Sequence, residues 1–314
     1  MYFARPVTRY FSINKLSVEK PKGKLIAVGG NEDKGTYPNP KSKKKYYLDF
    51  FELGILKRFI QEIPAKNPQI EVITTASLIP EEVGERYMSA FGILGAENAR
   101  LMHIKTEEDA LNPEYIERIK NADGIMMSGG NQSRLTQIFG GTEILAILQK
   151  RYHEEPFVIA GTSAGAMAMS KIMIKGGNIS DSLLRDSVKI SHGLGFIDGV
   201  IIDSHFVIRG RFGRLIEAVA MHPKTIGIGL GEDTGVLITE GDFIETIGSN
   251  LVVIIDGHDI RYTNVHHVAP GRPISIEGLQ MHILAKGNIY DIETREFFKD
   301  AEDLKHAAIT QTQR

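Results

Sequence analysis

Phe157-Val158-Ile159-Ala160-Gly161-Thr162-Ser163-Ala164-Gly165-Ala166-Met167 is the stretch from which the rest of the chain is best read. An apolar run of strand character stops at Gly161, small residues surround one hydroxyl, and helix formers follow. Gly161-Thr162-Ser163-Ala164-Gly165 has the G-x-S-x-G spacing of a nucleophile elbow, a sharp strand-to-helix turn that presents a serine oxygen. Glycines suit both flanks, because a Cβ there would collide with the turn or with substrate. The turn also sets Ser163 at a helix N-terminus, whose free N–H groups can stabilise an oxyanion. A small-residue turn that only packs a helix on a sheet would look the same over five residues, so the rest of the chain has to decide.

Upstream, strand and helix signals alternate. Lys24-Leu25-Ile26-Ala27-Val28 reads as a buried strand stopped by Gly29-Gly30. Residues 48–63 have helical periodicity, 70–75 a strand, 80–94 a helix, 100–104 a strand and 113–122 a helix. Residues 124–128 form another buried strand ending in Gly129-Gly130-Asn131-Gln132, and 135–148 are helical. Near-continuous apolar strands between helices predict a mainly parallel sheet covered on both faces. Function in such sheets gathers past the carboxyl ends of the strands, so Gly29-Gly30, Thr74–Ser77, Gly129–Gln132 and Gly161–Ser163 are expected along one edge.

Downstream, residues 175–195 have weak periodicity and suit a surface loop or lid. Val200–Phe206 is a strand that turns polar at its end, followed by a helix marked by Phe212, Leu215, Ile216 and Val219. From 226 to 298 short strands lie between Gly, Asn and Asp turns, which predicts antiparallel β additions toward the C-terminus. No linker or repeat divides the chain. The expected organisation is an N-terminal extension, 1–22, and a single catalytic domain, 23–314.

The 314 residues are 42% hydrophobic and 24% charged, which is ordinary globular composition. A net charge of -2 argues against a nucleic-acid or membrane-surface binder. The absence of cysteine removes disulfides, thiolate metal sites and cysteine nucleophiles, and suits a reducing cytosol. No secretory signal or run of 18 apolar residues is present, so the expected address is cytoplasmic. Asn31 to Lys45, with its lysine cluster, reads as a solvated polar loop, the alternative being a patch that attracts an acidic polymer.

A serine nucleophile needs a base and a carboxylate to orient it. Among ten histidines, His205 stands apart, because it ends an apolar strand between Asp203 and the arginines Arg209, Arg211 and Arg214. Arginines in the first turns of a helix oppose its macrodipole, so their accumulation suggests an anion to hold, such as a substrate carboxylate, the alternative being salt bridges to the protein's own acids. Glu232 and Asp233, at the end of another apolar strand, are both open as the orienting acid, Glu232 being nearer the strand. The expected oxyanion donors are the N–H of Ala164 and one from the turn containing Gly130 and Asn131. The His266-His267 pair lacks a third ligand at metal spacing, so neither a metal nor a cofactor is expected. The order Ser163, His205, Glu232 differs from the serine, acid, histidine order of α/β-hydrolases.

Taken together, the motifs at 129–132, 161–166, Gly193-Leu194-Gly195, Asp203-x-His205-Phe206 with Arg209-Gly210-Arg211, and 227–234 resemble those of the cyanophycinases. That serine peptidase family also contains peptidase E, an aspartyl dipeptidase. The resemblance covers roughly residues 23 to 290. It implies a class I glutamine amidotransferase-like fold with serine replacing cysteine. It places Ser163 as nucleophile, His205 as base and Glu232 as orienting acid. Gln132, Asp203, Arg209 and Arg211 match positions that contact a β-aspartyl-arginine unit, with Ser204 beside them. The implied activity is hydrolysis of cyanophycin, a polyaspartate bearing amide-linked arginines, to β-Asp-Arg dipeptides by a homodimer. Ser204 stands where cyanophycinases usually carry glutamine, and the extension and the 34–45 insert are atypical. An α-aspartyl dipeptidase of the peptidase E kind is the alternative; a catalytically inactive peptide-binding relative is disfavoured by the serine, histidine and acid occurring together.

Overall fold

The computed structural model describes residues 19–34, 54–177 and 181–312. Most of the expected N-terminal extension and of the lysine-rich insert lies outside the described residues. In chain order come β1 (Lys24–Val28), α1 (Ile55–Glu62), β2 (Ile70–Ile73), α2 (Pro80–Ile93), β3 (Ala99–Met102), α3 (Pro113–Asn121), β4 (Gly124–Met127), α4 (Gln132–Phe139), α5 (Glu143–Glu154) and β5 (Val158–Thr162). The five strands are parallel, in the order β1-β5-β4-β2-β3. Their side chains alternate between two cores: in β1, Leu25 and Ala27 enter one while Ile26 and Val28 enter the other. A strand covered on both faces has no polar side, which is why these segments read as unbroken apolar runs. The expected helix over 135–148 is in fact two, because Gly140 and Gly141, the latter at φ +75°, break it between α4 and α5.

After β5 come the short α6 (Ala164–Met167), then β6 (Ile172–Gly177) and β7 (Val188–His192), which pair as an antiparallel hairpin. The sequence suggested a loop or lid here. The hairpin buries only Met173, Ile174 and Val188 among exposed neighbours, too few to print a period of two. Next, β8 (Val200–Asp203), α7 (Phe212–Met221) and β9 (Ile226–Leu230) form a parallel unit. The antiparallel additions are β10 (Thr234–Thr239), β11 (Phe243–Gly248), β12 (Val252–Asp256), β13 (Tyr262–Thr263), β14 (Ile276–Glu277), β15 (Gln280–Leu284), β16 (Ile289–Asp291) and β17 (Glu296–Phe298), before the closing α8 (Ala301–Thr312).

These additions go to two places. Among the described residues, β10, β11, β16 and β17 extend the parallel sheet to nine strands, β10 pairing antiparallel with β1. A second sheet runs β15-β12-β9-β8. It packs on the face of the main sheet that α3, α4 and α5 also cover: Ile202, Ile228 and Ile254 share one core with Leu25, Ile159 and Val236. Helices α1 and α2 close the opposite face through Phe59, Tyr87 and Phe91. Leu215 and Val219 of α7 meet Ile201, Val253 and Ile255 on the outer face of the second sheet.

One polar tie crosses that last layer. Fully buried Asp203, the final residue of β8, accepts from Arg214 of α7 through Nε at 2.7 Å and Nη2 at 2.5 Å. A bidentate, charge-assisted pair sealed from water fixes the helix to the strand end. Removing Arg214 would leave the buried Asp203 charge to the longer, single contact from Arg211 Nη1 at 3.1 Å. Arg214→Met is therefore expected to destabilise the protein by about 3–5 kcal/mol, read as a lowered urea midpoint by circular dichroism; a midpoint unchanged from wild type would contradict this anchoring.

Candidate active site

Three strand ends converge. Ser163 follows β5 in the main sheet, while His205 and Glu232 follow the parallel neighbours β8 and β9 in the second sheet. Ser163 Oγ lies 3.0 Å from His205 Nε2, and His205 Nδ1 lies 2.9 Å from Glu232 Oε1. Ser163 has φ +49°, a left-handed conformation rare for a residue with a Cβ. Such backbones persist where neighbours over-determine them. Here the Ser163 N–H donates to Val28 O at 2.8 Å, and the flanking glycines leave no room for a side chain. A Cβ on Gly161 would sit 2.6 Å from the Gly165 carbonyl carbon, and one on Gly165 would sit 2.6 Å from Met127 O.

His205, at φ +48°, is held through its own N–H, which donates to Gly29 O at 2.8 Å. Its ring rests against Gly30: a Cβ there would come within 2.3 Å of imidazole Cε1. Glu232 also accepts from the Asn31 side chain, itself at φ +51°. Asp233, the other acid left open by the sequence, turns elsewhere and accepts from Ser249 Oγ at 2.6 Å and the Asp33 N–H at 3.1 Å. The carboxylate within reach of His205 is Glu232.

The remaining expected site residues divide. Gly130 is at φ +143° with a Cβ excluded by Ala76 O at 2.0 Å, and Gly129 lies against Ser163, so this turn borders the Ser163 side chain. Asn131 is no oxyanion donor: its N–H is taken by Ala76 O at 2.9 Å, and its side chain caps α4. The Gly130 and Ala164 amides remain. Gln132 spends its amide donor on the carbonyls of Ile174 and Lys175, steadying the β6–β7 hairpin. Asp203, expected to meet substrate, is closed by Arg214 and by Arg211 Nη1 at 3.1 Å. Ser204 is also turned inward, its Oγ donating to Met167 Sδ at 3.3 Å and lying 3.5 Å from Ser163 Oγ. Arg211 is half-buried and bonded to Ser204 O at 2.8 Å, whereas Arg209 is exposed and has no salt-bridge partner among the described residues. Missed by the sequence reading were Asn31 and Glu32, polar residues after a Gly-Gly strand stop.

A family model, peptidase family S51, matches residues 49–246. Similar curated proteins include the cyanophycinase of Geminocystis herdmanii, 35% identical over 88% of this chain and 96% of that protein. The cyanophycinase of Trichormus variabilis is 31% identical over 90% of each. The chain belongs to peptidase family S51. A solved peptidase from an acI-B1 actinobacterium shares the fold, with TM-score 0.59 and 23% identity over 87% of this chain and 98% of that one.

In this serine-type S51 peptidase, the electrostatics suit proton transfer. Burial, aided by the charge of Arg209, pulls the His205 imidazole below its ordinary pKa despite the opposing bond from Glu232. Burial would raise the Glu232 carboxyl, but the bonds from Asn31 and His205 and the Arg209 charge outweigh it and keep the group ionised. His205 must be neutral to accept a serine proton, so a lowered pKa moves the acid limb of kcat/KM below about 6.5. Arg209→Gln removes a charge that disfavours imidazolium, so the limb should shift to higher pH. An unmoved limb would contradict the electrostatic link. Gly30→Ala forces its new methyl into the imidazole and should lower kcat by roughly 100-fold, the usual scale for ångström misplacement; steady-state kinetics at full occupancy tests it.

Proposed function

We propose that this S51 peptidase is a serine exopeptidase that hydrolyses cyanophycin to β-Asp-Arg dipeptides. The observation that carries the reading is the Ser163–His205–Glu232 hydrogen-bonded chain at the exposed Arg209, in a protein whose curated relatives are cyanophycinases. His205 Nε2 takes the Ser163 proton as Oγ attacks the scissile carbonyl, and Glu232 holds the imidazole tautomer and balances the imidazolium. The Ala164 and Gly130 amides receive the developing oxyanion. The proton then passes from His205 to the leaving amine, and water, activated by the same imidazole, releases the acyl group.

Arg209 is the cation positioned to bind a substrate carboxylate, and Gln132 supports the neighbouring hairpin. Residues 23–314 act as one catalytic domain, because the second sheet supplies two of the three reacting groups. Among the described residues no helix is long and apolar enough to cross a membrane. A cytoplasmic homodimer fits this reading, the cysteine-free chain suiting a reducing compartment.

The test is incubation with insoluble cyanophycin and identification of soluble products. Wild type should release β-Asp-Arg, and Ser163→Ala should lose about 10⁴–10⁶-fold in turnover. A Ser163→Ala variant keeping a tenth of the activity would overturn the mechanism. Arg209→Lys should lower kcat/KM on the polymer by about tenfold or more, since lysine keeps charge but lacks the planar fork, with a small activated ester little affected. If the polymer is untouched while an α-aspartyl dipeptide is cleaved, the protein is an aspartyl dipeptidase, and buried Ser204, in place of the usual glutamine, is the first difference to examine.

A further inference from the structure

The turn after β1 touches His205, Glu232 and the residue that precedes Ser163. Gly29 O holds the His205 N–H, the Asn31 side chain holds Glu232, and Glu32 reaches the residue before the nucleophile. The Glu32 side chain is only 1% exposed. It accepts from Thr162 Oγ1 at 2.5 Å, from Lys34 Nζ at 2.9 Å and from the Tyr87 hydroxyl. Tyr87 belongs to α2 and is itself buried, so the carboxylate binds a helix, the turn and the elbow strand at one point. A carboxylate is acceptor-only and can take several donors together; a glutamine would lose the charge pair with Lys34 and would have to reverse the bond at Thr162, whose hydroxyl would then accept from its NH₂. Burial would raise the Glu32 carboxyl, but the Lys34 charge and the bonds from Thr162 and Tyr87 hold it below the ordinary range.

We propose that Glu32 is a positioning residue for the reaction at Ser163: by locking Thr162 to the 29–32 turn, it fixes the left-handed backbone of the nucleophile in register with His205 and Glu232. The chemistry it acts through is the serine mechanism proposed above, on which this inference rests. Ser163 at φ +49° is not a conformation a serine adopts unaided, and Asn31 at φ +51° is one that asparagine tolerates better than most residues. The Glu32–Thr162 bond joins the segments that contain them.

The readout is the second-order rate of covalent labelling of Ser163 by a fluorophosphonate, on the full chain, alongside kcat, KM and thermal unfolding. Glu32→Gln should slow labelling and lower kcat by about 10- to 100-fold, the scale of a misplaced reacting group, with KM within about twofold. Thr162→Val should act in the same direction, and Thr162→Ser, which keeps the hydroxyl, should recover most of the rate. The double variant Glu32→Gln with Thr162→Val should be little worse than Glu32→Gln, because the two changes remove one shared contact. Thr162→Val labelling at the wild-type rate overturns the proposal. So does Thr162→Ser behaving like Thr162→Val, since the lost methyl packing and not the hydroxyl would then be responsible. If Glu32→Gln does not fold, the Thr162 pair decides alone. A wild-type protein that takes no label at Ser163 overturns the serine mechanism itself, and this inference with it; wild-type labelling with an unaltered Thr162→Val rate overturns this inference only.

Discussion

The hydrogen bond from the His205 N–H to Gly29 O, 2.8 Å, ties together two sheets whose shared core is otherwise largely apolar. The neighbouring bond from the Asp233 N–H to Gly30 O, also 2.8 Å, does the same for the segment carrying Glu232. Hydrophobic contact between sheets is non-directional and tolerates sliding. A serine–histidine hydrogen bond does not, because its energy falls steeply with distance and angle. The Gly29–Glu32 turn converts loose layer packing into fixed register, one carbonyl per partner strand end. Glycine at 30 is needed twice over: its φ of +113° suits few other residues, and the histidine ring occupies the place of a side chain.

Four non-glycine residues here share the left-handed region: Asn31, Ser163, His205 and Asp233. Each costs of the order of 1–3 kcal/mol when held there. Their clustering at one point, away from the regular strand interiors, means the strain is concentrated where three segments must turn sharply toward one another. The tight, low-dielectric surroundings also set the charges. Burial disfavours imidazolium at His205, while Asn31 and His205 keep Glu232 ionised. A neutral imidazole beside an ionised carboxylate is the pair of charge states that suits taking a proton from Ser163.

The cluster of arginines has two separate uses. Arg214 and, in part, Arg211 neutralise the buried Asp203 and bind α7 to β8, so they serve the scaffold. Arg209 stays outside that network, exposed beside the histidine. A short sequence motif of acid and arginines thus contains both an internal anchor and an outward cation. Only burial separates the two.

Much of the parallel sheet was legible in the sequence, since strands covered on both faces leave continuous apolar runs and glycines mark their carboxyl ends. The elbow at Ser163, the polar strand end at His205 and the acids at 232–233 could be named because each breaks a local pattern. Secondary structure with few buried residues could not: the β6–β7 hairpin looked like a loop, and the break at Gly140-Gly141 passed for continuous helix. The split of the C-terminal strands between two sheets depends on pairings across tens of residues, such as Leu25 with Ile238 and Val252 with Leu230, which no local periodicity records. Side-chain direction was the other thing only the tertiary structure decided. Glu232 faces His205 and Asp233 faces Ser249, although the two acids are adjacent in the chain; Asp203 and Ser204 turn inward, although they border His205. Residue type and spacing set which chemistry is possible, because they reflect local propensity and polarity. Which polar atom meets which follows from how distant segments pack, and that information lies in the folded contacts.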